Sequence, residues 1–311
     1  MPKEKVRLSL TIGGTHVLVM GFNKALQSCT PPFRCDLDAE APRAETVNKI
    51  IEILKQAFAA CQKANQEVIG IGVGAPGPIN MKTGKILETP NIKGLRNVEL
   101  QKILEKEFSV PVKVNNDANV QGLGELTDEP PDCQDLILVT LGSGTGVAYI
   151  KDRRIVDGRH CMACEMAKAN LNPPNGFGVE QICSINGVIG LYFLFRGTAE
   201  KLDGDISPKK IALLAFAGYQ PAILAYQYLG RQLGTFLAIL INTVDPDSVV
   251  ISGGIAEAEE LFIGEMFAVI KANINPEVYN GIDGVAKPLM IRKSRLGEDA
   301  QAIGAAMLIE M

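Results

Sequence analysis

The chain has 311 residues, of which 47% are hydrophobic and 21% charged, so it has the composition of a globular protein with one large domain or two ordinary ones. The net charge of -4 excludes the basic surface that is typical of a nucleic-acid-binding protein. No apolar run is as long as a membrane-spanning helix, which needs about 18 residues. The seven cysteines are scattered and odd in number, and the first strand leaves no room for a signal peptide. We therefore expect a reduced, cytoplasmic protein.

The first part of the chain alternates predicted strands and helices. Glycines between the first two strands indicate a hairpin whose backbone N–H groups can bind an anion. Apolar residues at three- and four-residue spacings predict the first long helix. The predicted elements of this part are strands at 6–10 and 17–20, a helix at 44–64, a strand at 68–73, a helix at 99–107 and a strand at 110–114.

The second part repeats the strand–glycine–strand unit about 130 residues further on. Its predicted elements are strands at 136–140 and 147–150, a long apolar helix at 221–244, a strand from 249 that ends in a glycine turn at 253–254, a helix at 255–270 and a C-terminal helix at 296–311. Two halves that open with the same unit predict a duplicated α/β architecture with a nucleotide held between the halves.

Asp117 carries the main chemical signal. It follows the predicted strand at 110–114, and a glycine turn comes about 20 residues later. A kinase needs a carboxylate that deprotonates the acceptor hydroxyl near a turn that cradles phosphates. The alternative is that Asn116 and Asp117 only make a turn after a strand. Three glycine turns after three strands favour the catalytic interpretation.

The order of the short motifs resembles the ROK family of bacterial sugar kinases and related repressors. The motifs are IGGT at 12–15, GAPGP at 74–78, PN at 90–91, NDAN at 116–119, LGSG at 141–144, ACE at 163–165, GVE at 178–180, ISGG at 251–254 and GEDA at 297–300. The resemblance implies the duplicated actin-like ATPase (ribonuclease H-like) fold with a nucleotide and sugar cleft. It also implies a smaller N-terminal lobe of residues 1–117 plus 297–311 and a larger C-terminal lobe of residues 118–296.

The kinase branch of that family transfers the γ-phosphate of ATP to a hydroxyl of a hexose or an N-acetylated aminosugar. The resemblance implies ATP and Mg²⁺ as cofactors, a homodimer or homotetramer, and Asp117 as the general base. By the same resemblance the sugar-binding residues are Asn91, Asn116, Asp117, Glu165 and Glu180. The implied nucleotide-binding residues are Gly13, Gly14, Thr15, Gly142, Ser143 and Gly144 at the phosphates, with Gly253 and Gly254 beside the adenosine.

Repressors of the family carry an additional N-terminal helix-turn-helix domain. Only about five residues precede the first predicted strand here, so we expect no DNA-binding role. A regulator that lacks its own DNA-binding domain remains an alternative that only family membership favours.

Thr11 departs from the family pattern, which has an aspartate at this position that helps to place magnesium. A neutral hydroxyl is a much poorer magnesium ligand than a carboxylate. The sequence therefore leaves two interpretations open, an ATP-dependent sugar kinase with altered metal handling and a non-catalytic binder of sugars or nucleotides.

The zinc site of the family also has no counterpart. The family uses a histidine of an AGEIGH motif and three downstream cysteines, whereas this chain has Lys168 at the histidine position and neither cysteine nor histidine between Lys168 and Glu180. We predict no zinc site, because a protonated lysine cannot bind zinc. Lys168 either donates a hydrogen bond towards the ligands or points into solvent. The group His160, Cys161 and Cys164 lacks the second ligand pair of a structural zinc site.

Overall fold

The computed structural model describes residues 2–89, 91–170, 178–197, 206–284 and 286–310. In chain order, the elements are β1 (Glu4–Ile12), β2 (His16–Phe22), β3 (Phe33–Asp36), α1 (Arg43–Lys63), β4 (Gln66–Ala75), β5 (Ile79–Asn80), β6 (Lys85–Ile86), α2 (Leu100–Phe108), β7 (Val112–Asn116), α3 (Asp117–Glu125), β8 (Leu136–Leu141), β9 (Thr145–Lys151), β10 (Arg154–Ile155), α4 (Val179–Cys183), α5 (Ile185–Arg196), α6 (Pro208–Phe216), α7 (Gln220–Val244), β11 (Ser248–Ser252), α8 (Ile263–Asn273), α9 (Pro276–Asn280), β12 (Met290–Lys293) and α10 (Glu298–Met307). Within these residues no helix combines the length and the hydropathy of a membrane span.

The chain forms two compact units. The first comprises Met1–Asp132, Ala148–Ala163 and Leu296–Met311, and the second comprises Cys133–Val147 and Cys164–Arg295. These ranges differ from the lobes that the sequence predicts, which are residues 1–117 plus 297–311 and residues 118–296. The predicted lobe boundaries stay a prediction.

The predicted strands and helices are present with ends shifted by a few residues, apart from the single helix predicted at 255–270. Here a 3-10 helix, Ala256–Leu261, is followed by α8, which begins at Ile263. The predicted helix is interrupted at Ala258 inside the 3-10 helix (φ -104°, ψ 28°) and again at Phe262 before α8 (φ -131°, ψ -15°). Buried Phe262 at the break stacks on Tyr226 of α7, with ring centroids 6.5 Å apart. Core packing of this aromatic pair outweighs the helical pattern of the sequence.

The first sheet has the strand order β3-β2-β1-β4-β7. Strands β1 and β2 form the predicted antiparallel hairpin, and β1, β4 and β7 are parallel. Their register places Thr11 opposite Gly74 and Gly74 opposite Asn115. Because the register aligns the carboxyl ends of these strands, the residues that follow them gather at one edge of the sheet.

Helix α3 lies in the first unit against α10, and two glycines allow the close approach. A Cβ atom on Gly124 would lie 1.8 Å from the carbonyl oxygen of Ala300, and one on Gly304 would lie 1.6 Å from that of Val120. Neither position has room for any other residue. This packing fixes α3, and with it the residue that begins the helix, Asp117.

The second sheet has the order β10-β9-β8-β11-β12, which repeats the order of the first sheet element by element. Strand β8 leads through a glycine turn into its neighbour β9, and β8, β11 and β12 are parallel. The long helix α7 contributes the buried side chains Leu229, Leu233, Phe236 and Leu237 to the second unit. The repeat confirms the predicted duplicated α/β architecture.

Candidate active site

The turn between β7 and α3 presents Asp117 at a helix N-terminus. Asn116 is the N-cap of α3, and its side-chain oxygen accepts hydrogen bonds from the backbone N–H groups of Ala118 (2.9 Å) and Asn119 (3.4 Å). Asp117 Oδ1 accepts from the N–H of Ala118 at 2.8 Å. The N-cap fixes the start of the helix. Half-buried Asp117 is therefore held in place at the edge of the sheet.

Thr11 lies at the same edge, on β1. It is 7% exposed, and the glycine opposite it on β4, Gly74, has no side chain between Thr11 and Asn115 of β7. Three residues aligned across parallel strands place their side chains on one face of the sheet. The sheet therefore brings the position that departs from the family pattern to the edge that carries Asp117.

The first glycine turn contacts Asn91. The N–H of Gly13 donates to the carbonyl oxygen of His16 at 2.9 Å, which closes the hairpin. A Cβ atom on Gly14 would lie 3.7 Å from Asn91 Nδ2, so the Asn91 carboxamide lies over the turn. The hydroxyl of Thr89 donates to the carbonyl oxygen of Ile92 and shapes the Asn91 loop. One predicted sugar ligand and the first predicted phosphate turn are thus together in the first unit, while Pro90 lies outside the described residues.

The second glycine turn, at residues 142–144, contacts Glu180 in the second unit. The N–H of Gly142 donates to the carbonyl oxygen of Gly144 at 3.0 Å. Glu180 Oε2 accepts from the N–H of Thr145 at 3.2 Å and would lie 2.5 Å from a Cβ atom on Gly144. A predicted sugar ligand therefore contacts the backbone at the end of the predicted phosphate turn.

Glu165 lies on a segment that pairs with the start of α4. The N–H of Glu180 donates to the carbonyl oxygen of Ala167 at 3.1 Å. The N–H of Val179 donates to the carbonyl oxygen of Ala169 at 2.9 Å. Glu165 and Lys168 are both exposed. Residues 171–177, which follow in the segment predicted to shape the acceptor pocket, lie outside the described residues.

The third glycine turn follows β11 and borders a cavity of about 330 Å³. Gly253 has φ +96°, a conformation that favours glycine. The cavity is lined by Pro208, Lys209, Ala212, Leu213, Phe216, Tyr226, Gly254, Glu257 and Ala258. A hydrogen bond from the Tyr226 hydroxyl to the carbonyl oxygen of Pro208 (2.9 Å) ties α7 to the start of α6 at this cavity. Its volume and mostly apolar lining are those of a small-molecule site.

The described residues contain no group of three or more His, Cys, Asp and Glu side chains that could hold a metal ion. Burial, and after it the charge of Glu165, raises the pKa of the Cys164 thiol, which disfavours the thiolate that would bind zinc. Magnesium prefers carboxylate and phosphate oxygens. At the end of β1 the chain offers the Thr11 hydroxyl and backbone amides instead, so the end of this strand supplies no carboxylate for a magnesium ion.

Two residues near Asp117 make contacts that the sequence does not predict. From the sequence, neither Asn115, which directly precedes the NDAN motif at 116–119, nor Asp157 is assigned a role. The Asn115 side chain contacts the carboxylate of Asp157, which is 42 residues away in the chain. No spacing rule predicts a contact at that separation, and the only signal at Asn115 is the polar residue itself, next to Asn116 at the end of a predicted strand.

The comparisons with known proteins agree with this architecture. Residues 7–311 match the ROK family. A glucokinase of Halalkalibacterium halodurans is 27% identical over 322 residues, which cover 97% of this chain and 94% of that protein. The DNA-binding transcriptional dual regulator NagC of Escherichia coli K12 is 29% identical over 272 residues, which cover 84% of this chain and 65% of the regulator.

Solved structures share the fold over nearly the whole chain. The ROK hexokinase of Thermus thermophilus superposes with a TM-score of 0.80 at 24% identity, covering 97% of each chain. The ROK family glucokinase of Streptomyces griseus, solved with glucose and AMPPNP, superposes with a TM-score of 0.73 at 24% identity, covering 97% of this chain and 98% of that one. The expected duplicated actin-like ATPase fold is confirmed, and the chain belongs to the ROK family.

Proposed function

We propose that this protein is an ATP-dependent sugar kinase that phosphorylates a hydroxyl of a hexose or an N-acetylhexosamine. The observation that carries the proposal is the position of the Asp117 carboxyl group at the start of α3, on the sheet edge that also presents the first glycine turn. The resemblance to a glucokinase over 97% of the chain supports it.

In the proposed reaction Asp117 takes the proton of the acceptor hydroxyl. The hydroxyl oxygen then forms a bond to the γ-phosphorus, and the bond from that phosphorus to the bridging oxygen breaks to leave ADP. Asn116 and Asn91 orient the sugar, since carboxamides exchange hydrogen bonds with hydroxyl groups in defined geometry. Phosphoryl transfer depends mostly on positioning and charge stabilisation, which a single directed carboxylate and backbone N–H groups can supply.

For the nucleotide, we propose that the cavity beside Gly254 takes the adenine and that the backbone N–H groups of the glycine turns bind phosphate oxygens. Because Thr11 supplies no carboxylate, magnesium would arrive on the phosphates of ATP, whose charge it neutralises. Glu165 and Glu180 are the proposed sugar ligands of the second unit. A homodimer or homotetramer and a cytoplasmic location stay predictions.

The nucleotide site is tested by Gly254→Phe. A Cβ atom on Gly254 meets no heavy atom within 4 Å, so a side chain can enter the cavity without disturbing the backbone. We expect the KM for ATP to rise about tenfold or more, with a smaller change in the KM for the sugar, because binding of the nucleotide alone is obstructed.

Gly264→Phe is the matched control, because Gly264 on α8 also has open space at its Cβ position and does not line the cavity. Steady-state kinetics gives the KM for ATP of both variants, and their melting temperatures show whether both are folded. Equal KM values for ATP in both variants would place the adenine elsewhere.

The proposal as a whole is tested by incubating the protein with ATP and a sugar and detecting a sugar phosphate by mass spectrometry. The second candidate is a sugar or nucleotide binder without turnover, which Thr11 and the 29% identity to the regulator NagC favour. Tight sugar binding in calorimetry with no sugar phosphate formed, even at high magnesium, would select this second candidate.

A further inference from the structure

A chain of hydrogen bonds connects Asp157 to the turn that carries Asp117. Asn115 Nδ2 donates to Asp157 Oδ1 at 3.0 Å. Asn115 Oδ1 accepts from the backbone N–H of Asn116 at 2.7 Å and from Asn119 Nδ2 at 2.9 Å. All of these residues belong to the first unit. The carboxylate of Asp157 is thus two hydrogen bonds away from the backbone N–H that precedes Asp117.

Asp157 holds the donor end of the Asn115 carboxamide. A carboxylate can only accept hydrogen bonds, so the NH₂ group of Asn115 must face Asp157 and its oxygen must face Asn116 and Asn119. Asn115 is 6% exposed and has little access to water that could replace these partners. Hydrogen bonds to a charged acceptor are about twice as strong as neutral ones. The Asp157 carboxylate and the backbone N–H of Asn116 therefore hold the carboxamide from both ends in the orientation that supports the β7–α3 turn.

The backbone of Asp157 connects a second part of the proposed site. Its carbonyl oxygen accepts from the N–H of Ala163 at 3.2 Å, which closes the loop that follows β10. Gly158 and Cys161 within the loop have positive φ values of 73° and 56°. Ala163 precedes Glu165 by two residues in the sequence. The same aspartate thus anchors the turn of the base and the loop that leads to a proposed sugar ligand.

We propose that Asp157 is a positioning residue for phosphoryl transfer, acting through Asn115 on the turn that holds Asn116 and Asp117. It touches neither sugar nor nucleotide in this account. The inference rests on the proposed kinase function, and it identifies a residue that contributes to the rate through geometry rather than through contact with the reacting atoms.

The test exchanges the two partners. Asn115→Asp alone places two carboxylates against each other, which disfavours the ionised pair. Asn115→Asp combined with Asp157→Asn restores one donor and one acceptor with the positions reversed, and the second oxygen of the new carboxylate can still accept from Asn116 and Asn119. Asp157→Ala removes the acceptor, and Asp157→Asn retains an oxygen that can accept.

We expect kcat to fall about tenfold or more in Asp157→Ala and in Asn115→Asp, because small displacements of a catalytic group have effects of this size. In the double variant and in Asp157→Asn, kcat should lie within about threefold of the wild-type value, as expected for two residues whose effects are coupled. The KM values for sugar and ATP should change little throughout. The melting temperature should fall in Asp157→Ala and Asn115→Asp, because a buried donor loses its acceptor or two carboxylates face each other, so kcat is measured well below the melting temperature of each variant. A purely structural role would lower the melting temperature but leave the kcat of the folded protein unchanged.

Unchanged kcat in Asp157→Ala, or a double variant no faster than Asn115→Asp, would overturn the inference. If Asp157→Ala does not fold, Asn115→Asp and the double variant decide the question. A wild-type protein without sugar-dependent ADP release would instead contradict the kinase proposal itself. A wild type that is active, with Asp117→Asn inactive and the Asp157 variants unaffected, would contradict only the role of Asp157.

Discussion

Asp117→Asn is expected to lower the rate of sugar-dependent ADP release by about 10³-fold, within the range by which a positioned general base accelerates a reaction. The asparagine oxygen can still accept from the N–H of Ala118, as Asp117 Oδ1 does at 2.8 Å, so the helix start remains intact. The ability to take a proton is lost. The KM for ATP should therefore stay within about threefold of the wild-type value, because transition-state stabilisation rather than binding is removed.

Asp299→Asn is the matched control for this variant. Asp299 lies in the first turn of α10, is exposed and belongs to the same unit, so the substitution makes the same charge change at a helix N-terminus. It should leave kcat unchanged. If Asp117→Asn retains wild-type turnover while both proteins fold, Asp117 is not the base.

Thr11→Asp is expected to raise kcat/KM for magnesium-bound ATP by roughly 10- to 100-fold, which corresponds to a few kcal/mol of metal-assisted charge stabilisation. Thr11 lies on the edge of the sheet that carries Asp117 and the first glycine turn, where a carboxylate can face the phosphates with their cation. Without nucleotide, the new carboxylate at a position only 7% exposed should lower the free energy of unfolding by about 2–3 kcal/mol.

Thr11→Asn provides the control, because it has nearly the size of aspartate and lacks the charge. It should show neither the gain in kcat/KM nor a magnesium-dependent rise in melting temperature in the presence of AMPPNP. A Thr11→Asp variant that is no faster than the wild type at any magnesium concentration would show that the hydroxyl does not limit the reaction.

Much of the fold could be predicted because apolar patterns mark its buried strands and long helices. Helix α3 could not, since Gly122 and Gly124 lower its helix propensity and its position depends on packing against Gly304 of α10. The break at Phe262 was missed for a similar reason, because the partner ring, Tyr226, belongs to a helix much earlier in the chain. Local sequence patterns contain no information about such partners.

The candidate site was predictable to the extent that each residue lies in a short motif. Asp117 and Asn116 follow a strand, and the three glycine turns follow three others, so their roles could be proposed from the resemblance. The contact of Glu180 with the N–H of Thr145 spans 35 residues, and that of Asn115 with Asp157 spans 42. Contacts of this kind depend on the folded chain, and a single sequence does not indicate them.

The most direct test of the proposed function is the simultaneous measurement of ADP and sugar phosphate formed by the wild-type protein from ATP. A panel of hexoses and N-acetylhexosamines should be assayed with and without magnesium. We predict that at least one sugar gives equal molar amounts of ADP and sugar phosphate, that magnesium is required, and that Asp117→Asn forms both products about 10³-fold more slowly. Sugar binding in calorimetry with no ADP above the sugar-free background at any magnesium concentration would contradict the account.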